Sequence, residues 1–114
     1  MAVHHAGPGE VVDLQPLGDS LRESRTTAIV KCDAFEAVRL IVPAGREIPP
    51  HQVSGNITLH CLEGRVLLGL ADCTLELSAG QWVYLDGGAT HSVRGVEDSS
   101  LLLTILLERV THQR

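Results

Sequence analysis

Between Ser24 and Val110 turn residues cut the chain into short apolar segments, and that rhythm excludes most folds before any chemistry is considered. Arg25 to Lys31 is rich in Thr, Ile and Val, and Phe35 to Val42 runs into the turn Pro43-Ala44-Gly45. Asn56 to Leu62 alternates, with Ile57, Leu59 and Cys61 on one face and Thr58, His60 and Leu62 on the other. Glu63-Gly64 turns into Val66 to Leu70, Ala71-Asp72 into Cys73 to Leu77, and Ser78-Ala79-Gly80 into Trp82 to Leu85. After the loop Asp86-Gly87-Gly88 come His91 to Val96 and a last long segment, Leu101 to Val110. Strands this short, with glycine at the corners, predict an all-β sandwich or barrel. One short helix is expected near Asp19 to Ser24, and no internal repeat or low-complexity segment interrupts the pattern.

A chain of 114 residues is expected to make one domain with a real core. Residues 1–12, small, polar and bearing Gly and Pro, are expected to form a flexible arm, with the barrel domain over residues 13–114. His4 and His5 belong to that arm and are expected to be solvated. No apolar run approaches the roughly 20 residues of a membrane helix, so no membrane partner is expected. No basic-then-apolar start marks a signal peptide, which points to the cytoplasm. A net charge of −5 argues against nucleic acid, because phosphate binding needs clustered Lys and Arg. The three aromatic side chains, Phe35, Trp82 and Tyr84, are too few for a base-stacking platform. Cys32, Cys61 and Cys73 follow no CxxC spacing and are odd in number, as expected of free thiols in a reducing compartment. A thiol nucleophile would need a basic partner that sequence does not place.

Leu101 to Leu107 is apolar on both faces, and Val66 to Leu70 is similar, so both strands need cover on two sides. A second sheet and a terminal segment supply it in one reading; a partner subunit supplies it in the other, and a homodimer is expected. Trp82 and Tyr84 share a face opposite Val83 and Leu85, suited either to lining a pocket or to packing against a subunit or arm. Arg39, Arg65 and Arg94 carry nothing that separates them from surface arginines. Ser78 and Ser92 lie in no nucleophile-elbow context.

Two glycine-and-histidine stretches remain. The first has Gly45, then five residues to His51, then Val53, Ile57 and Gly64. The second has Gly80, Asp86, Gly88, His91 and Gly95. Over residues 35 to 107 these resemble the paired motifs of the cupin superfamily, G-x5-H-x-H-x3,4-E-x6-G and G-x5-P-x-G-x2-H-x3-N. Gly45, His51, Gly64, Gly80, Gly88 and His91 match. Val53 stands for the second His, Ile57 for Glu, Asp86 for Pro and Gly95 for Asn.

The resemblance implies a single-domain, RmlC-like double-stranded β-helix, that is, a jelly-roll barrel. It also implies that positions 51, 53, 57 and 91 point into the cavity. In the family, three His and one Glu there bind a divalent metal, Fe, Mn, Ni, Cu or Zn, with open positions for substrate or dioxygen. This chain keeps only His51 and His91. To hold a metal, that pair would need waters and an oxygen from Glu47, Asp86 or Asn56. His60 lies an odd number of residues from position 57, so alternation sends it to the opposite face unless a bulge intervenes.

Three functions follow from the resemblance. The first is small-molecule binding in the barrel at His51 and His91, without a strong metal site and with an apolar wall at Val53 and Ile57. Two imidazoles, which ordinarily titrate near neutral pH, would suit pH-dependent binding. The second is a metal-dependent dioxygenase, isomerase or decarboxylase with a reduced ligand set. The third is a metal-free epimerase using His51 or His91 as base, which requires Tyr84 to face them as proton donor.

Overall fold

The protein is described here by a computed structural model covering residues 4–107. Among the described residues nine strands form two antiparallel sheets. They are β1 (Thr27–Lys31), β2 (Phe35–Val42), β3 (Glu47–His51), β4 (Ile57–Glu63), β5 (Arg65–Gly69), β6 (Thr74–Ser78), β7 (Trp82–Leu85), β8 (His91–Gly95) and β9 (Ser99–Leu106). The five-stranded sheet runs β1-β2-β9-β4-β7 and the four-stranded sheet β3-β8-β5-β6. This is the expected jelly roll, and the one short helix, a 3-10 turn over Gly18–Glu23, begins one residue before its predicted place.

The core lies between the sheets and is built by alternation. Ile57, Leu59 and Cys61 of β4 point inward and meet Val42, Val66, Leu68, Leu77, Leu85, Val93 and Leu101. Strand β9 answers its two-faced sequence in two ways. Leu101, fully buried, joins the core, with Leu103 and Ile105 packed against it. Its outer face is partly covered by residues 14–24 of the chain's own N-terminal part. Arg39 donates to the carbonyls of Leu14 and Gln15. Glu63 accepts from the backbone N–H groups of Leu17 and Gly18 and from the Ser100 hydroxyl. Leu21 of the 3-10 turn is 1% exposed. Nearer the terminus, residues 4–12 are mostly exposed, with the Ala6 N–H donating to Ile29 O on β1.

One strand escaped the sequence reading. Glu47–His51 contains Pro49-Pro50, which argues against a central strand. It forms at a sheet edge, pairs only with β8, and its register shifts between Ile48 and His51, where the two prolines have no N–H to give the ladder. Strand β9 ends at Leu106; the expected continuation over residues 108–110 lies outside the described residues.

Candidate functional site

His51 closes β3, His91 opens β8, and antiparallel pairing makes them direct cross-strand partners. Their ring centroids are 4.3 Å apart, with planes tilted by 56°. Three contacts lace the two His-bearing segments together. The Gly88 N–H donates to Val53 O, the Gly87 N–H to Asn56 Oδ1, and the Gln52 amide to Thr90 Oγ1. This lacing explains the glycine pair: a Cβ at Gly87 would collide with Ser54 O, and Gly88 sits at φ +84°, where an L side chain is strained.

Each ring is held by its own backbone. His51 Nδ1 lies 3.0 Å from Pro49 O and His91 Nδ1 3.1 Å from Ala89 O. A carbonyl only accepts, so each Nδ1 carries the hydrogen and, in the neutral ring, Nε2 carries the lone pair. The site therefore presents two fixed imidazoles with bare Nε2 atoms. His51 is exposed and His91 is 5% exposed.

Behind the pair is a chamber of about 50 Å³ walled by Leu40, Ile48, Leu59, Val93 and Leu103. That is about a third of an apolar cavity that accepts benzene, near 150 Å³, and far below the roughly 300–1,000 Å³ of drug-sized sites. It suits a few heavy atoms. The larger hollows lie elsewhere, about 390 Å³ beside Trp82, 430 Å³ beside Cys32 and Phe35, and 280 Å³ under the N-terminal arm. None of them contains His51 or His91, so volume alone does not locate the chemistry. Ile48 was missed as a wall residue because β3 was; Leu59 was readable as an inward position of an alternating strand, whereas Leu103 was not, its strand being apolar on both faces.

The oxygens offered as metal partners go elsewhere. Glu47 is paired in register with Arg94, whereas its neighbour Ile48, on the other strand face, lines the chamber. Asp86 accepts from the Tyr84 hydroxyl at 2.6 Å, and Asn56 Oδ1 accepts from Gly87. His60 stands between Trp82 and Leu102 on the outer face of its sheet; the bulge in the β4–β9 pairing comes after it, between Cys61 and Glu63. Val53 packs against the core and Ile57 is 2% exposed. Among the described residues no three His, Cys, Asp or Glu side chains gather into a metal-sized group. Two imidazoles backed by hydrocarbon do not fit a resident three- or four-ligand metal centre.

Tyr84 overturns the epimerase reading. It is 47% exposed on the outer face, and the Asp86 carboxylate that accepts its hydrogen bond pushes the phenol above its usual range. It is not a proton donor to the two histidines. Cys61 is no activated nucleophile either, since burial pushes its thiol up and it bonds only to the carbonyls of Glu63 and Gly64. The arginines serve the scaffold. Arg39 holds the N-terminal segment, Arg65 pairs with Glu76 and Glu97, and Arg94 lies opposite Glu47.

A profile of the cupin domain matches residues 38–107, more than half of the chain. The protein belongs to the cupin family. Solved structures resemble it in fold at low identity. A conserved Streptococcus pyogenes protein of unknown function superposes with a TM-score of 0.74 at 18% identity, covering 96% of this chain and 97% of that one. A cupin superfamily protein of Desulfitobacterium hafniense gives 0.73 at 17% identity, over 86% and 95%. KdgF from a Halomonas species gives 0.68 at 19% identity, over 74% and 80%. No curated protein sequence matches this cupin. At these identities the neighbours establish the fold, so the site must be read from its own atoms.

Proposed function

We propose that this cupin binds a small uncharged molecule in the chamber behind His51 and His91 and works without a resident metal. The observation that carries the reading is the pair of imidazoles, each tied through Nδ1 to its backbone, meeting at 4.3 Å over an apolar wall. The bare Nε2 atoms accept hydrogen bonds, so they suit a hydroxyl or amide donor. The wall takes a short hydrocarbon. An ammonium would be buried with no carboxylate beside it, and a carboxylate would set its lone pairs against those of Nε2. Three or four heavy atoms at up to about 1.5 kcal/mol each give roughly 4–6 kcal/mol, millimolar to submillimolar binding.

Backbone-tethered Nδ1 atoms are also typical of metal-ligating histidines, which keeps a metal-dependent dioxygenase, isomerase or decarboxylase as the second reading. One experiment separates the two. The protein is purified without chelator, its metal content measured, and its histidine ring resonances followed during titration with propanol, propionamide and propionate. The expected result is negligible metal and a saturable shift of the His51 and His91 rings with the alcohol or amide, lost in His51→Ala. Stoichiometric Fe, Mn, Ni, Cu or Zn that disappears in His51→Ala would replace this reading with the second.

A further inference from the structure

The four residues of β7 divide by face, and the larger pair is left in water. Val83 packs against the core and Leu85 belongs to it. Trp82 and Tyr84 turn outward, 60% and 47% exposed, across from His60 and Thr58 of β4. Asp86 ends the same row. Its Oδ1 accepts from the Tyr84 hydroxyl at 2.6 Å, which holds the carboxylate at the rim of the phenol ring. Asp86 is exposed, and among the described residues no Lys, Arg or His side chain pairs with it.

We infer that Trp82, Tyr84 and Asp86 form a surface site for a guanidinium group, stacked between the two rings and paired with the carboxylate. Charge selects a cation. The faces of Trp and Tyr rings attract positive charge. An anion meets Asp86 and a chain of net charge −5, and a neutral ligand gains less from the carboxylate than a cation does.

Shape selects guanidinium among cations. Same-face residues of an antiparallel strand stand roughly 7 Å apart, about twice the ~3.5 Å of a stacking contact. Among the described residues the ring-to-ring contact is that of His51 with His91, so Trp82 and Tyr84 do not stack on each other. The gap between them suits a group one atom thick. Guanidinium is flat, weakly hydrated and able to meet both oxygens of a carboxylate, whereas an ammonium is compact and strongly hydrated. The site is separate from the chamber, which Leu59 of the neighbouring β4 lines from the inner face. With β7 at the free edge of its sheet, approach from that side is open. Exposure keeps the binding weak, with half-saturation in the millimolar range.

Trp82 is the sole tryptophan, so its emission reports the contact directly. Emission of the full chain is titrated with butylguanidinium, butylammonium and butylurea, the last flat but uncharged. The His51 and His91 ring resonances are followed in parallel. The expected result is a saturable change with butylguanidinium, at least about fivefold weaker binding of butylammonium, and no saturable change with butylurea. Asp86→Asn leaves Tyr84 an acceptor and Tyr84→Leu leaves the indole; each weakens butylguanidinium binding by about fivefold or more. The histidine resonances stay in place. Acetyl-Gly-Arg-Gly-amide separates two sources of the group. Tighter binding than butylguanidinium assigns the site to an arginine of a polypeptide, and weaker binding to a free guanidino compound. No saturable change with butylguanidinium overturns the inference. So does butylurea or butylammonium binding as tightly, or an affinity that either substitution leaves unchanged. Movement of the His51 and His91 resonances along the same curve also overturns it, because the cation then occupies the chamber.

Discussion

At two positions this chain exchanges charge-bearing or coordinating groups for hydrocarbon. Val53 and Ile57 stand where the cupin motif places His and Glu, and Ile57 has become part of the core, 2% exposed among Leu59, Leu85 and their neighbours. The chamber wall itself is Leu40, Ile48, Leu59, Val93 and Leu103, so the apolar wall expected from Val53 and Ile57 is supplied by other residues. Reversing the two exchanges tests the register. In Val53→His with Ile57→Glu, four ligands should converge with His51 and His91, and the variant should take up one divalent ion. Without metal, the buried carboxylate costs on the order of 3 kcal/mol, a fall in Tm of more than about 10 °C. Zinc should restore most of that loss in a calorimetric scan. Unchanged stability and no uptake would show that positions 53 and 57 do not face the histidines.

At the scale of elements, the N-terminal segment and the sheet it covers are joined by one carboxylate. Burial opposes the charge on Glu63, but the N–H groups of Leu17 and Gly18, the Ser100 hydroxyl and the Arg39 guanidinium outweigh it and hold the carboxyl below its usual range. A depressed folded pKa contributes stability above the unfolded value, near 4.5, and that stability is lost as pH falls through the folded value. Glu63→Gln should lower Tm at neutral pH by several degrees, about 1–3 kcal/mol for a part-buried, multiply bonded charge. The gap to wild type should narrow as the pH falls below that range. A gap that stays constant with pH would remove the carboxylate from this role. Sequence did not disclose the fastening, because it joins residues 17 and 63 through a side chain that reads as an ordinary turn acid.

The same contrast between periodicity and contact runs through the other elements. Strands β2, β4 and β7 were readable because alternation and glycine turns are local, and β2 was placed at Phe35–Val42 to the residue. Strand β3 was not readable, because Pro49-Pro50 speaks against a strand and only the pairing with β8 overrides it. Its loss from the sequence reading also hid Ile48 as a chamber wall. His60 was placed on the outer face by parity alone, and the bulge that would reverse it lies beyond it, between Cys61 and Glu63.

Over the whole molecule, one sheet brings together two histidines forty positions apart, the other faces them with Leu40, Leu59 and Leu103, and everything proposed for the chamber depends on that arrangement. The pairing of β3 with β8 inside the four-stranded sheet puts His51 beside His91, and the Gly87-Gly88 loop beside them is laced to Val53 and Asn56. Sequence motifs located the two histidines. The orientation of their rings came only from the carbonyls of Pro49 and Ala89, which no motif records. The apolar surfaces divide by the same architecture: the inner faces fill the core, the N-terminal segment covers one end of the outer sheet, and the β6–β7 edge is left with Trp82 and Tyr84 in water. The most direct measurement is a long-range ¹H–¹⁵N spectrum of the histidine rings, combined with nuclear Overhauser contacts between them. The account predicts that His51 and His91 both carry their hydrogen on Nδ1 and show ring-to-ring contacts. A hydrogen on Nε2 in either ring, or no contact between the rings, would contradict it.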